Sequence, residues 1–211
     1  RHNNNSIREY IRNFIMSKLE TNQVDPSTGT TLTLGTSGDT IAIPSGVTIA
    51  NSGTDTGFGG ANTPAFEAYL GGSGGQAISD NTVTLVTIDT EFYDTDSAFN
   101  TSNYRFTPQV AGKYMVYGST QNESGSGSNL NASYLYLKKN GTSVTEYTRD
   151  FYNNQVRSDI IQVSAVIEFN GSSDYVELYG RIDSISGSGQ LFESDTQFKR
   201  ATAFGAYRII T

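Results

Sequence analysis

Four acidic residues follow one another closely in the middle of the chain, and they are its best candidates for binding a cation. They are Asp89, Glu91, Asp94 and Asp96. Hard cations such as calcium prefer several oxygen ligands supplied by one loop. The spacing of these carboxylates does not match an EF-hand loop, however, and acidic loops are usually just solvated. We therefore predict no metal site, and calcium at these four residues is the alternative.

The residue types that carry out catalysis are scarce. His2 is the only histidine, and cysteine is absent. Within one chain this excludes a histidine-based triad, a two-histidine metal site and a thiol nucleophile. The glycine-rich run 71–75 lacks the lysine of a phosphate-binding loop, and no pattern places two carboxylates together as glycosidases require. We expect a protein that binds, not an enzyme, with no cofactor.

Composition narrows the class of partner. The chain has 211 residues, 21 acidic against 14 basic, and a net charge of −7. Such a charge gives no overall attraction to phosphate backbones, so nucleic acid is an unexpected partner. The apolar run 14–16 is far shorter than the roughly 20 residues that span a bilayer. We expect no membrane insertion.

The first 20 residues form an amphipathic segment. Ser6 and Glu9 have the spacing of a capping box at a helix start. Apolar side chains then recur at steps of three and four, which predicts one apolar helical face. This face consists of Ile7, Tyr10, Ile11, Phe14, Ile15 and Leu19. An isolated helix of this length is marginal in water, so the face must pack either on its own domain or, as we favour, in a docking peg or three-stranded coiled coil.

Residues 21–60 are rich in Thr, Ser and Gly, with aliphatic residues in pairs. The two members of each pair are separated by one residue, the period of a strand with one apolar face. The pairs are Leu32 and Leu34, Ile41 and Ile43, and Val47 and Ile49. Each pair is too small to form a core, but stacked copies from neighbouring turns or chains could form a thin β-shaft. A flexible linker is the alternative.

From residue 61 to 211 the pattern is all-β. Alternating runs rich in β-branched and aromatic residues are separated by turn signals such as Asn140-Gly141 and Asn170-Gly171. Eight or so short strands at this spacing predict a sandwich or jelly roll, with helix close to nil after residue 20. The predicted organisation is therefore a helix at 1–20, a β-shaft or linker at 21–60 and a jelly-roll head at 61–211.

The order of landmarks in this last segment resembles the trimeric jelly-roll heads of the tumour necrosis factor and complement subunit-q superfamily. A phenylalanine precedes a proline, and a glycine then leads into a strand with alternating large residues. A hairpin ends in Asn-Gly, and a second Asn-Gly opens a later strand. The residues that match are Phe106, Pro108, Gly112, Tyr114 and Val116, then Leu135, Leu137, Asn140 and Gly141, then Asn170, Gly171, Tyr175, Val176 and Leu178.

The resemblance implies assembly into a homotrimer with one sheet of each protomer facing the axis. Tyrosine suits such an interface, because its ring buries a large area while its hydroxyl keeps a hydrogen-bond partner. On this basis we predict that the trimer interface contains Tyr114, Tyr134, Tyr136 and Tyr207. Leu135 and Leu137 alternate with two of these tyrosines, and we expect the leucines in the core. Some members of the family hold calcium near the trimer apex, which is the basis of the alternative for the acidic cluster.

Residues 21–60 resemble the Thr/Gly/Ile repeats near the start of tail-fibre and capsid-fibre proteins of marine bacteriophages. The resemblance implies location in the virion, attachment to other virion proteins through the helix, and adhesion through the distal loops 121–130, 147–157 and 184–194. Rigid aromatic and adaptable polar side chains suit recognition of a host glycan or protein. We predict that receptor binding uses Tyr152, Asn153, Asn154 and Arg157. A purely structural decorating protein and a soluble lectin-like or cytokine-like module are the alternatives.

Overall fold

The computed structural model describes residues 23–50, 62–72, 74–125, 127–185, 190–193 and 200–209. The anchor helix predicted for 1–20 lies outside these ranges. Within them all regular structure is β-strand, as predicted, and no helix is long and apolar enough to cross a membrane. The strands are β1 (Ala65–Tyr69), β2 (Gln76–Ile78), β3 (Thr84–Leu85), β4 (Thr90–Asp94), β5 (Phe99–Asn100), β6 (Arg105–Phe106), β7 (Gly112–Glu123), β8 (Leu130–Lys139), β9 (Thr142–Asp150), β10 (Ser158–Phe169), β11 (Val176–Ser184), β12 (Gln190–Phe192) and β13 (Ala203–Arg208).

The chain divides into two units, residues 1–54 and 55–211. In the first unit the described residues 23–50 contain two turns and no strand. The amide of Asp39 donates to the Thr36 carbonyl at 3.0 Å, and the amide of Val47 donates to the Pro44 carbonyl at 3.2 Å. The six paired aliphatic side chains are between 43% and 63% exposed. Residues 23–50 thus form no strand pairs with one another, because two apolar residues bury too little area to hold a strand; pairing between chains stays a prediction.

The second unit is a jelly-roll sandwich of two antiparallel sheets. The first sheet has the order β2-β12-β7-β13-β1-β4, and β10 pairs with β7 along its whole length. The second sheet has the order β5-β6-β11-β8-β9, with β3 beside β11. The fold class predicted from strand spacing is confirmed.

Alternating side chains from both sheets fill the space between them. Leu135 and Leu137 are fully buried, as predicted. Phe66 stacks on Phe99 and on Phe106, each with ring centroids 4.6 Å apart. Burial of each ring contributes about 1.5–3 kcal/mol relative to leaving it exposed. These rings come from three different strands, so the core joins elements that are distant in the sequence.

Two glycines allow the sheets to approach closely. A Cβ on Gly118 would lie 2.5 Å from Cδ1 of Leu178, and a Cβ on Gly180 would lie 2.5 Å from Cζ of Phe192. Each distance is shorter than any real contact of this kind, so a side chain at either position would push the sheets apart. Glycine at 118 and 180 therefore sets the spacing of the sandwich.

The Asn-Gly turns have the conformation that their sequence predicts. Asn140 and Gly141 both adopt positive φ, at 50° and 80°, which suits the tight hairpin between β8 and β9. The carboxylate of Asp174 accepts hydrogen bonds from the Asn140 side chain at 2.8 Å and from the Asn170 amide at 3.0 Å. The Lys139 ammonium, 2.8 Å from the same carboxylate, holds the pKa of Asp174 below its usual range, and the bonds from Asn140 and Asn170 add to the effect. The two turn signals thus meet at one end of the sandwich.

Candidate functional site

Three predicted recognition loops come together at one end of the head. The amide of Ser124 donates to the Arg157 carbonyl at 3.1 Å, and that of Ile185 donates to the Asn129 carbonyl at 2.9 Å. Leu130 and Val156 form an isolated β-bridge. The loops after β7, β9 and β11 are therefore neighbours, and we call this the loop end.

The first described residues of the head, from Asn62, lie at the other end. Ala65 at the start of β1 pairs with Tyr207, and Tyr207 pairs with Met115 near the start of β7. The loop end lies where β7 finishes at Glu123, and β7 has 12 residues. At about 3.3 Å per residue the two ends are roughly 40 Å apart.

A hydrogen-bonded corner surrounds Tyr152 at the loop end. The Tyr152 hydroxyl donates to Oδ2 of Asp183 at 2.6 Å, and Asn131 Nδ2 donates to Oδ1 of the same carboxylate at 3.1 Å. Gln155 Nε2 donates to the Tyr152 carbonyl at 2.6 Å and to Asn131 Oδ1 at 3.3 Å. These four residues, the Tyr152 corner, come from the β9–β10 loop, β8 and β11.

The hydrogen bond to Asp183 also affects the acidity of the phenol. It raises the pKa of Tyr152 to about 12, with smaller contributions from burial and from the nearby carboxylates. The hydroxyl is therefore protonated at any physiological pH and stays a donor. Tyr152 nevertheless keeps half of its surface exposed. The ring is therefore accessible to a ligand while its hydroxyl is held by Asp183.

The corner continues into a row of stacked cations and tyrosines on the outer face of the second sheet. The Arg181 guanidinium lies 3.6 Å from the centroid of the Tyr134 ring. Arg105 covers Tyr175 at 3.6 Å, and Lys138 Nζ covers Tyr179 at 4.1 Å. Each such pair contributes on the order of 0.5–1 kcal/mol at an exposed position. The face is thus held rigid by its own side chains.

The predicted receptor residues are only partly brought together. Tyr152, Asn153 and Asn154 are exposed in the β9–β10 loop. Arg157 instead forms an ion pair with the buried carboxylate of Glu123 at 2.7 Å. Its side chain is still 66% exposed, so all four predicted residues are accessible, and Arg157 differs from the other three in that its guanidinium is already paired at the end of β7.

The first sheet has an open outer face that carries apolar side chains. Val166 is 54% exposed, Ile160 42%, and Tyr93 and Tyr207 39% each. They lie on β10, β4 and β13, at register positions opposite those that fill the core. We call this surface the open face. β1 separates β4 from β13, and β7 separates β13 from β10, but Val166 and Tyr207 both pair with Met115 of β7 and so lie in one row across the face. Exposed apolar side chains grouped on one face are typical of a contact surface.

A polar cluster lies at the centre of the open face. The Tyr117 hydroxyl donates to Oε2 of Glu67 at 3.0 Å, and Arg200 Nη1 lies 2.5 Å from Oε1 of the same carboxylate. The Arg200 guanidinium also covers the Phe92 ring, 4.0 Å from its centroid. Burial and the Glu67 carboxylate raise the pKa of Tyr117 far above its usual range. The charges are thus paired within the chain.

A shallow pocket of about 500 Å³ borders this cluster. Its walls include Glu67, Tyr117 and Arg200 on one side and Gln162, Ser164 and Tyr147 on the other. The pocket gives the open face a concave centre with polar and aromatic walls.

The predicted trimer-interface tyrosines do not form one surface. Tyr207 lies on the open face, whereas Tyr134 and Tyr136 occupy outward positions of the second sheet, on the other side of the sandwich, and Tyr136 is just 6% exposed there. The prediction for Tyr114 is wrong: its side chain is fully buried, packs edge-on against Phe106 and Phe169, and donates its hydroxyl to the Val110 carbonyl at 2.8 Å. A residue with no exposed surface cannot contact a neighbouring protomer.

The four acidic residues proposed as alternative calcium ligands do not converge. Asp94 accepts the amides of Asp96 and Phe99, at 3.3 Å and 2.8 Å, and so caps the turn after β4. Asp89 accepts the Gly71 amide at 2.8 Å at the other end of that strand, and Glu91 lies between them. Among the described residues no group of three acidic or histidine side chains could hold a metal.

Sequence reasoning missed the residues that complete both surfaces. Asp183, Asn131 and Gln155 complete the Tyr152 corner, and Glu67 and Arg200 complete the cluster on the open face. The alternation of Glu177, Tyr179, Arg181 and Asp183 along β11 is a signal for a polar outer face. It does not indicate which loop folds onto that face.

Comparison with known proteins supplies similar folds. No protein-family model and no curated protein sequence matches the chain. The globular domain of zebrafish complement 1qA protein is similar over 70% of this chain and 98% of its own, with 17% identity and a TM-score of 0.48. Structures of murine APRIL at pH 5.0 and pH 8.5 are similar over 69% of this chain and 98% of theirs, with 10% and 9% identity and TM-scores of 0.49. At these values the likeness carries nothing about ligands or assembly, and the jelly-roll assignment stands on the strand order itself.

Proposed function

We propose that this chain is the protomer of a homotrimeric bacteriophage fibre or spike. Its N-terminal segment joins the particle, and its jelly-roll head adheres to the host surface. The role is adhesion without chemical turnover.

The observation that carries the proposal is the open face of the first sheet. Val166, Ile160, Tyr93 and Tyr207 leave apolar surface exposed in the single chain, and burial of such surface favours association by about 25 cal/mol per Å². Glu67 and Arg200 neutralise each other within the chain. A partner that covers this pair therefore buries apolar area around it without leaving either of the two charges unpaired.

The position of the recognition loops supports a role at the tip of a fibre. Asn62, the first described residue of the head, accepts the Arg208 amide through its carbonyl at 3.3 Å, and the Tyr152 corner lies at the opposite end. In an appendage attached by its N-terminal segment, such loops face away from the particle. This placement favours adhesion over a purely decorating role and over a soluble lectin-like or cytokine-like module.

The exposed aliphatic pairs of residues 23–50 support assembly as well. Leu34 is 63% exposed and Ile41 59%, although aliphatic side chains are normally buried. Parallel copies of the segment would bury the pairs against each other. This is the β-shaft that the repeated spacing predicts.

The solution mass tests the assembly. Light scattering coupled to size exclusion should give three times the protomer mass of 22.8 kDa. Val166→Glu should reduce the mass towards one protomer, since it places a charge in the proposed interface. Val144→Glu is the matched control, because Val144 is 45% exposed on β9 of the second sheet. A monomeric parent protein, or equal effects of both substitutions, would contradict the proposal.

Virion location and adhesion need a separate experiment. An antibody against the purified protein should label fibre tips of intact particles in negative-stain electron microscopy. The purified protein should also compete with those particles for adsorption to host cells. Labelling without competition would favour the decorating role.

A further inference from the structure

We propose that the Tyr152 corner binds a neutral saccharide. The inference rests on the proposed adhesion function and deepens it by assigning the site and the chemical class of the ligand. It is carried by the meeting of an exposed aromatic ring, a carboxylate and two carboxamides at the loop end.

The four side chains supply the two kinds of contact that a sugar needs. The Tyr152 ring is 50% exposed and offers a flat apolar surface for the C–H groups of a pyranose. Asp183, Asn131 and Gln155 are planar groups with several donors or acceptors each, which suits the adjacent hydroxyls of a sugar. An apolar platform flanked by a few fixed polar groups is the general form of a small-ligand site.

Hydrogen-bonding capacity remains at each polar group. The Asp183 carboxylate accepts one bond on each oxygen, and a carboxylate can accept about four. Asn131 Nδ2 has two protons, and one of them is donated to Asp183. Donors and acceptors are thus both available beside the ring, which matches hydroxyl groups that donate and accept.

The charges nearby favour a neutral ligand. Asp183 lies in the corner, and Asp150 lies beside it, where its carboxylate accepts the Tyr152 amide at 2.9 Å. Arg181, two positions before Asp183 on the same face of β11, is stacked on the Tyr134 ring, and Arg157 at the loop end is paired with Glu123. Two carboxylates repel a sialic acid, a uronic acid or a phosphate, so a sugar without an acidic group is the class that fits.

The corner is preorganised. Tyr152 is held through both its hydroxyl and its carbonyl, and Asn131 is held by two different partners. Little side-chain entropy remains to be lost on binding. A single corner still offers few contacts, and three linked copies would raise the apparent affinity through effective concentration.

The test is binding to an array of immobilised neutral, amino and acidic oligosaccharides. The full chain should bind neutral members. Tyr152→Ala and Asp183→Asn should each weaken binding at least about tenfold, the ratio that corresponds to roughly 1.4 kcal/mol for lost stacking or hydrogen bonding. Val144→Ala is the control, because Val144 is 45% exposed on β9 and lies outside both the Tyr152 corner and the open face; its binding should be unchanged.

Three outcomes would overturn the inference: no binding to any member, binding to acidic members only, or equal binding by the parent protein and Tyr152→Ala. Circular dichroism and light scattering on the same samples separate this inference from the proposed function. A folded trimer that binds no saccharide removes the saccharide site and leaves the trimeric head. A monomer that binds neutral sugars through Tyr152 keeps the site and removes the fibre.

Discussion

The ring of Tyr117 lies directly over Gly205 on the open face. A Cβ at position 205 would come within 2.4 Å of both Cζ and the hydroxyl oxygen of Tyr117. Glycine at 205 is therefore what allows Tyr117 to reach across β13 and donate its hydroxyl to Glu67 on β1. Tyr117 on β7 and Gly205 on β13 lie on neighbouring strands and are directly paired.

Gly205→Ala should displace the Tyr117 ring and break its hydrogen bond to Glu67. We expect a loss of about 1–3 kcal/mol in the free energy of unfolding, the usual cost of overpacking, and a weaker assembly because the open face changes shape. Urea unfolding and light scattering measure the two effects. Gly72→Ala is the control, since its Cβ would meet just the end of the Asp89 side chain, at 3.3 Å. Equal stability of the two variants would contradict the prediction.

Two buried threonines should respond in opposite ways to replacement by valine. Thr120 and Thr202 are both fully buried. Oγ1 of Thr120 has no hydrogen-bond partner among the described residues, whereas Oγ1 of Thr202 accepts the Gln121 amide at 3.0 Å. Thr120→Val should therefore raise the free energy of unfolding by up to about 1 kcal/mol, and Thr202→Val should lower it by about 1–3 kcal/mol.

Chemical unfolding of both valine variants under one condition is the measurement. A destabilised Thr120→Val protein would mean that this hydroxyl is hydrogen-bonded, for example to an internal water. Each variant thus serves as the control for the other, because residue type, burial and substitution are the same.

Stability should fall at alkaline pH because of Tyr136. Burial raises the pKa of its phenol to about 12, and the Glu146 carboxylate adds to the effect. Because the folded-state pKa lies above the ordinary value of about 10, the folded state holds the proton more tightly. The associated stability is fully present below pH 10 and is lost as the pH rises from about 10 through 12. Tyr136→Phe removes this ionisation.

The measurement is the free energy of unfolding at about pH 8 and at about pH 11.5. The decrease between the two values should be smaller in Tyr136→Phe than in the parent protein. Identical decreases would show that the ionisation of Tyr136 does not contribute. The missing hydroxyl also changes the packing, and this changes the free energy of unfolding by the same amount at both pH values. The difference between the two pH values is therefore free of that effect.

The aliphatic pairs of residues 23–50 should matter for the assembly more than for the single chain. Ile41 and Ile43 are 59% and 47% exposed, so the double substitution Ile41→Ser with Ile43→Ser removes little buried area within one protomer. If copies pair here, the thermal midpoint of the trimer should fall. Differential scanning calorimetry measures it, with Thr40→Ser as the control in the same segment. An unchanged midpoint would favour the flexible-linker alternative.

Local alternation predicted the parts of the fold that depend on neighbouring residues. Leu135 and Leu137 were assigned to the core because they alternate with Tyr134 and Tyr136, and the structure confirms it. The turns at Asn140-Gly141 and Asn170-Gly171 follow from residue type alone. The prediction of Tyr114 at the trimer interface rests on residue type and not on its position in the alternation of β7. Tyr114 shares a face of this strand with Val116, and both are buried.

Both surfaces depend on contacts between distant residues, which local patterns do not encode. Tyr152 and Asp183 are 31 positions apart, and Glu67 and Arg200 are 133 apart. Their meeting requires the register of β8 with β11 and the central position of β13. The sequence thus predicted which residue types and loops to consider, and the strand pairing decided which of them meet.

The first and last strands of the head, β1 and β13, pair with each other. The head could therefore be exchanged between proteins as one unit. Residues 62 and 208 are joined by a hydrogen bond, so the two points at which the domain can be cut lie side by side on its surface. A recombination event could exchange the whole head without disturbing the strands between those points. Such an exchange would replace the Tyr152 corner in one step, and with it the proposed saccharide site.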